Sequence, residues 1–123
     1  MNKATLLYRQ IHPSWLQGER VTSQAFKPTP KDKKKLSLYD GDIVSAESSW
    51  KHFTMKQELL SIGCLAVTVE ECSNQELDVE PDPETFPSHV LLNFEKHSGN
   101  QIEKKAKKLR VSALARGWQF YVQ

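Results

Sequence analysis

The sequence predicts an α+β domain over residues 1–123, with a mixed β-sheet packed by two or three helices. Two short apolar segments, CLAVTV (64–69) and SHVLLNF (88–94), are rich in β-branched residues or leucine and are typical of strands buried on both faces. From Gln101 to Arg116, an amphipathic C-terminal helix is predicted because four apolar residues share one face: Ile102, Ala106, Leu109 and Ala113. Strands interleaved with helices indicate the α+β class.

Two further strands and a loop are predicted near the start of the chain. The segment ATLLYRQI (4–11) is apolar and β-prone, and Pro13 ends it. The segment RVTSQAF (20–26) alternates in the period-2 manner of a second strand. KPTPKDKKK (27–35) is predicted to be an exposed loop, because its prolines lack a donor and its lysines repel one another.

The middle of the chain predicts a strand followed by a helix. LSLY (36–39) is a short strand, and Asp42 or Ser45 is placed to cap a helix that carries Ala46, Trp50 and Phe53 on one stripe. A separate helical turn is predicted over residues 54–60.

The remaining elements are predicted from caps and turn residues. Thr68 and Glu71 have capping-box spacing, which predicts a short helix through about Gln75. DVEPDPETFP (78–87) has three prolines and four acidic residues and is predicted to be a loop. Gly117 stands where a helix C-cap is expected, and WQFYV (118–122) is a final strand.

Composition indicates a globular cytoplasmic protein. Hydrophobic residues make up 38% of the chain and charged residues 26%, and three Trp, three Tyr and five Phe supply large apolar anchors. No apolar run is long enough for a membrane span or a signal peptide. The two cysteines have no ligand-spaced partners, and HExxH, CxxC and Gly-rich phosphate loops are absent from the sequence. We therefore expect neither metal nor cofactor.

Four residues are candidates for catalysis: Arg9, His12, Ser23 and His89. Arg9 offers a planar fork to a phosphate or carboxylate, and His12 is able to move a proton near neutral pH. Ser23 is a nucleophile only if a base lies beside it, and a cluster of His12, His52 and His89 would suit a metal or acid–base chemistry. The alternative is that Arg9 is solvated or ion-paired, His12 caps a turn and Ser23 is a strand hydroxyl.

Candidate binding residues are Trp15 and the lysines of the loop: Lys31, Lys33 and Lys34. These lysines and the basic side of the last helix would neutralise the phosphates of a nucleic acid. A basic helix face is, however, usually just exposed to solvent. No RNA-binding aromatic motif accompanies them, and the acidic segment near residues 80–84 opposes a polyanion. A protein partner is therefore favoured over nucleic acid.

Four blocks of the chain resemble a family of small bacterial proteins of unknown function: YRQIHPSW, RVTSQAF with LSLYDGD, PDPETFPSHV and KKAKKLRVSALARGW. The resemblance implies a stand-alone intracellular bacterial domain associated with toxin or phage-defence genes, and it implies no activity. A second resemblance is to ADP-ribosyltransferase-type domains, which open with a strand that carries an Arg or a His and continue with a strand that carries a Ser/Thr pair. Arg9 or His12 and the Thr22–Ser23 pair resemble these features. Their acidic catalytic motif has no counterpart in this sequence.

Two functions remain open from the sequence. The favoured one is a non-catalytic protein-interaction or accessory module that uses a sheet edge or an aromatic patch with Trp15 and Trp118. The other is a small enzyme or nucleotide-binding domain that acts on a phosphate-bearing ligand through Arg9 and His12.

Overall fold

The computed structural model describes residues 1–123 apart from the side chain of Pro30. Its central element is a six-stranded sheet. Neighbouring strands pair antiparallel in the order β6-β7-β4-β1-β5-β8, and β2 and β3 form a separate hairpin. The strands are β1 (Leu6–Gln10), β2 (Leu16–Gln17), β3 (Arg20–Val21), β4 (Lys35–Asp40), β5 (Gly63–Thr68), β6 (Asp78–Pro81), β7 (His89–Asn93) and β8 (Phe120–Tyr121). The helices are α1 (Ala46–Lys51), α2 (Val69–Asn74) and α3 (Gly99–Arg116). The predicted single α+β domain is confirmed.

The two faces of the sheet carry separate cores. The larger core includes Leu7, Leu38, Leu65 and Val90 and is covered by the buried face of α3. On the opposite face, Tyr8, Tyr39, Cys64 and Ala66 pack beneath α1. Both faces of β5 are therefore buried, as the apolar run of residues 64–67 predicts.

Helix α3 forms as its sequence predicts. Ser98 accepts a hydrogen bond from the backbone N–H of Gln101, and the Gln101 side chain accepts one from the backbone N–H of Ser98, so two helix-end donors are satisfied. All four predicted inner residues are buried. The helix ends at Gly117, where φ is +89°.

The prediction of a strand over residues 20–26 is wrong beyond Val21. Ser23–Phe26 is a 3₁₀ turn, and Ala25 and Phe26 are both buried although they are adjacent. A strand would place them on opposite faces. The turn lets both side chains enter the core beneath α3, so tertiary packing overrides the alternating pattern.

The prediction of a loop over residues 78–87 is wrong for its first four residues. Asp78–Pro81 forms β6, the edge strand that pairs with β7. An edge strand has one unpaired side and tolerates a terminal proline, so Pro81 does not prevent it from forming.

A single wider turn extends α1. Ser45 caps the helix, and α1 then continues directly into a π-helical turn at His52–Lys56 instead of stopping before a separate turn at residues 54–60. A π-helical turn shifts the side chains that follow it relative to an α-helix, and such turns are frequent at functional sites. Among the described residues, none of the helices combines the length and hydrophobicity that crossing a bilayer requires.

Candidate functional site

A cavity of about 280 Å³ opens where β1, β4 and β7 meet the π-helical turn. Its lining combines polar and apolar side chains from the strands, from the π-helical turn and the residues after it, and from the loop before β7: Arg9, Gln10, Ser37, Tyr39, Phe53, Gln57, Leu59, Thr85, Phe86 and His89. An apolar cavity with a few converging polar groups is the usual form of a small-molecule site.

A serine, a histidine and an aspartate form a continuous hydrogen-bonded chain at the edge of this cavity. His89 Nδ1 lies 2.8 Å from Asp82 Oδ2, and His89 Nε2 lies 3.1 Å from Ser37 Oγ. A carboxylate accepts hydrogen bonds, so in the neutral imidazole Nδ1 carries the proton and Nε2 accepts from the Ser37 hydroxyl. This is the arrangement in which a base activates a nucleophile and a carboxylate orients the base.

The antiparallel pairing of β4 with β7 brings Ser37 and His89 together. Tyr39 is opposite His89 and Ser37 is opposite Leu91, so the Ser37 and His89 side chains are diagonal neighbours on one face. His89 is buried, whereas Ser37 is exposed. The base is therefore held in the interior while the hydroxyl remains accessible.

Asp82 reaches His89 because a turn closes the β6–β7 hairpin. The Asp82 N–H donates to the His89 carbonyl over 2.8 Å, and the Thr85 hydroxyl donates to Asp82 Oδ2 over 2.6 Å. The hydrogen bonds from Thr85 and His89 lower the pKa of Asp82 below its usual value. The carboxylate therefore remains ionised beside the imidazole.

Aromatic packing fixes the imidazole from one side. The Phe86 ring lies 4.7 Å from His89, 4.5 Å from His52 and 5.2 Å from Tyr39, measured between centroids. The Tyr39 hydroxyl accepts from the Gln57 amide at 3.2 Å and lies 2.8 Å from His52 Nδ1. Burial raises the pKa of Tyr39 to about 12, so the phenol remains neutral beside His52.

Arg9 is a half-buried cation without a carboxylate partner among the described residues. Its Nε donates to the Ala25 carbonyl over 2.7 Å and its Nη1 donates to the Ser37 carbonyl over 3.0 Å. The guanidinium carbon lies 4.8 Å from the centroid of the Trp15 ring. Burial lowers the pKa of Arg9 to about 10, partly opposed by the charge of Asp32, and the group remains protonated at neutral pH.

The remaining guanidinium nitrogen of Arg9 is available to a ligand. In the part of the chain that the structure describes, Nη2 has no hydrogen-bond acceptor, and every buried side-chain nitrogen and oxygen has a partner. Nη2 is therefore reached by solvent, and Arg9 lines the cavity.

The structure separates the four predicted catalytic residues. Arg9 and His89 line the same cavity, but His12 and Ser23 do not. His12 Nδ1 accepts from the backbone N–H of Ser14 and so caps a 3₁₀ turn. Ser23 lies beside a different concavity near α3.

The predicted binding residues also lie apart from this cavity. Trp15 is half-buried against the core and beneath Arg9, and Lys31 is exposed. Lys33 and Lys34 line a wider groove of about 960 Å³, where Glu95 and Glu103 bring negative charge. Among the described residues, no group of three or more His, Cys, Asp or Glu side chains is placed to hold a metal ion.

Ser37, Asp82 and Tyr39 belong to the site although sequence analysis did not select them. Ser37 is a polar residue between Leu36 and Leu38 in a strand otherwise suited to burial, and this was the available signal. Asp82 was assigned to a loop, and its contact with His89 depends on the β6–β7 pairing.

No protein-family model matches the chain, and no similar curated protein or solved structure was found.

Proposed function

We propose that this protein binds a small ligand through an anionic group, a carboxylate or a phosphate, in the cavity beside Arg9. The supporting observation is a half-buried guanidinium that lines the cavity, with two nitrogens bound to carbonyl oxygens and a third exposed to solvent. Two fixed hydrogen bonds hold the planar group in place, so a ligand meets a preorganised donor.

The neighbouring residues suit such a ligand. The Ser37 hydroxyl and the Gln57 amide supply neutral hydrogen-bonding groups, and Phe53 and Phe86 supply apolar walls. The cavity volume of about 280 Å³ is just below the usual range for ligand sites, which favours a compact ligand.

The test is a titration of isotopically labelled protein with inorganic phosphate and, separately, with acetate, followed by NMR. We expect saturable shifts for residues around the cavity, and the two arms show which anion is preferred. In Arg9→Gln the affinity should fall about tenfold or more, because a hydrogen bond to a charged group contributes roughly 1.5–3 kcal/mol.

Arg20→Gln is the matched control, because it removes the same charge from an exposed residue outside this cavity. The proposal is contradicted if Arg9→Gln binds as tightly as the wild type, or if Arg20→Gln loses as much affinity as Arg9→Gln.

A protein-interaction role is the second proposal, supported by the exposed edge at β8. Trp118 and Tyr121 are exposed and their ring centroids lie 4.9 Å apart beside this edge strand. An unpaired strand edge flanked by aromatic side chains suits the addition of a partner strand. We expect Trp118→Ala to abolish co-purification of a specific partner. Trp15→Ala changes a half-buried residue and should lower stability instead. If Trp118→Ala recovers as much of the partner as the wild type does, this role is contradicted.

A further inference from the structure

We propose that Ser37 is a nucleophile for acyl transfer, with His89 as its general base and Asp82 as a positioning residue, and that the substrate is an ester bearing an anionic group. The substrate class rests on the anion-binding function proposed above, whereas the nucleophile rests on separate contacts.

Those contacts meet the geometric requirements for an activated serine. Both hydrogen bonds, at 2.8 and 3.1 Å, fall within the range in which a base takes a proton from a nucleophile and is oriented by a third group. Ser37 is exposed and lines the cavity, so a bound carbonyl carbon is able to approach its Oγ. The β4 strand positions this hydroxyl without a Gly-x-Ser-x-Gly turn.

Arg9 lies on the other side of Ser37 from the base. Its Nη1 is bound to the backbone carbonyl of Ser37 itself, which keeps the guanidinium within a few ångströms of the nucleophile's own residue. Arg9 and Ser37 line the same cavity, so one substrate would carry both the anionic group bound by Arg9 and the ester carbonyl attacked by Oγ. Gln57 lines the same cavity and supplies a neutral amide donor for the carbonyl oxygen as it gains charge.

The reaction balances without a further reactant except water. Ser37 Oγ forms a bond to the acyl carbon and gives its proton to His89 Nε2, and the ester C–O bond then breaks as Nε2 passes that proton to the departing oxygen. Water next attacks the acyl-enzyme and gives a proton to Nε2, which returns it to Ser37 Oγ as the carboxylic acid leaves. Asp82 accepts from Nδ1–H throughout and keeps Nε2 directed at the hydroxyl.

The experiment compares two p-nitrophenyl esters, the succinate monoester with its free carboxylate and the neutral butyrate, using wild type, Ser37→Ala, Arg9→Gln and Ser23→Ala. We expect Ser37→Ala to lose hydrolysis of both esters by on the order of 10³-fold or more. In Arg9→Gln, the preference for the charged ester, as a ratio of kcat/KM values, should fall about tenfold. Ser23→Ala is the control, because this serine lies beside a different concavity.

A fluorophosphonate probe followed by mass spectrometry supplies a readout independent of turnover, since Ser37 Oγ forms a bond to phosphorus as fluoride leaves. Adduct on Ser37, slowed in Asp82→Asn and restored in Asp82→Glu, supports the assignment. Hydrolysis by Ser37→Ala at the wild-type rate, or a wild type that neither hydrolyses nor labels, overturns the nucleophile. If phosphate or acetate still binds in that case, the anion-binding function is retained and only the nucleophile is overturned. If Ser37 is labelled but neither anion binds, the nucleophile is retained and the anionic substrate class is overturned.

Discussion

Truncation of Leu109 measures how strongly the C-terminal helix is docked on the sheet. Leu109 is 1% exposed and belongs to the larger core. Leu109→Ala removes three buried carbon groups, which at about 0.8 kcal/mol each amounts to about 2.4 kcal/mol of lost transfer free energy. The cavity that remains adds to this, so the free energy of unfolding should fall by about 2–5 kcal/mol.

The assay is urea unfolding followed by circular dichroism, with Val111→Ala as the control on the same helix. Val111 is 63% exposed, so its truncation should change the free energy of unfolding by less than about 0.5 kcal/mol. The reasoning is refuted if Leu109→Ala loses no more stability than Val111→Ala, because α3 would then not depend on its buried face.

Three further predictions concern buried positions. Gly63→Ala should lower the free energy of unfolding far more than Gly18→Ala, although both glycines have a positive φ. A Cβ at Gly63 would lie 2.3 Å from a β8 backbone carbonyl oxygen, whereas a Cβ at Gly18 meets no atom within 4 Å. Chemical denaturation of both variants checks this. Amide exchange at Ala66 and Leu92 should be among the slowest in the chain, since both are fully buried in interior strands, and rapid exchange there would be incompatible with the sheet order. Burial raises the pKa of the Cys72 thiol from its ordinary value of 9.0 to about 12. The contribution of the neutral thiol to the free energy of unfolding is therefore complete below pH 9 and is lost as the pH rises towards 12. Across this window the free energy of unfolding should fall more steeply for the wild type than for Cys72→Val.

The parts of the fold that sequence predicted are those with local signals. The capping box of α2, the apolar face of α3 and the apolar run of β5 are each encoded within one short segment. The 3₁₀ turn at Ser23–Phe26 and the edge strand β6 were missed, because each depends on a distant partner, the former on α3 and the latter on β7. Local propensity does not contain that information.

The candidate site shows the same division. Arg9 and His89 were selected from residue chemistry, and the structure places both beside one cavity. His12 was selected for the same reason but is used as a turn cap. Ser37 and Asp82 meet His89 only through the pairing of β4, β7 and β6, so their roles depend on strand register.

The protonation state of the His89 ring tests the site most directly, since the proposed mechanism requires a proton on Nδ1 and a free lone pair on Nε2. Nitrogen-15 NMR of the imidazole at neutral pH distinguishes the two tautomers. The account predicts the Nδ1–H form in the wild type, and loss of that preference in Asp82→Asn. An Nε2–H tautomer in the wild type, or a tautomer unaffected by Asp82→Asn, would contradict it.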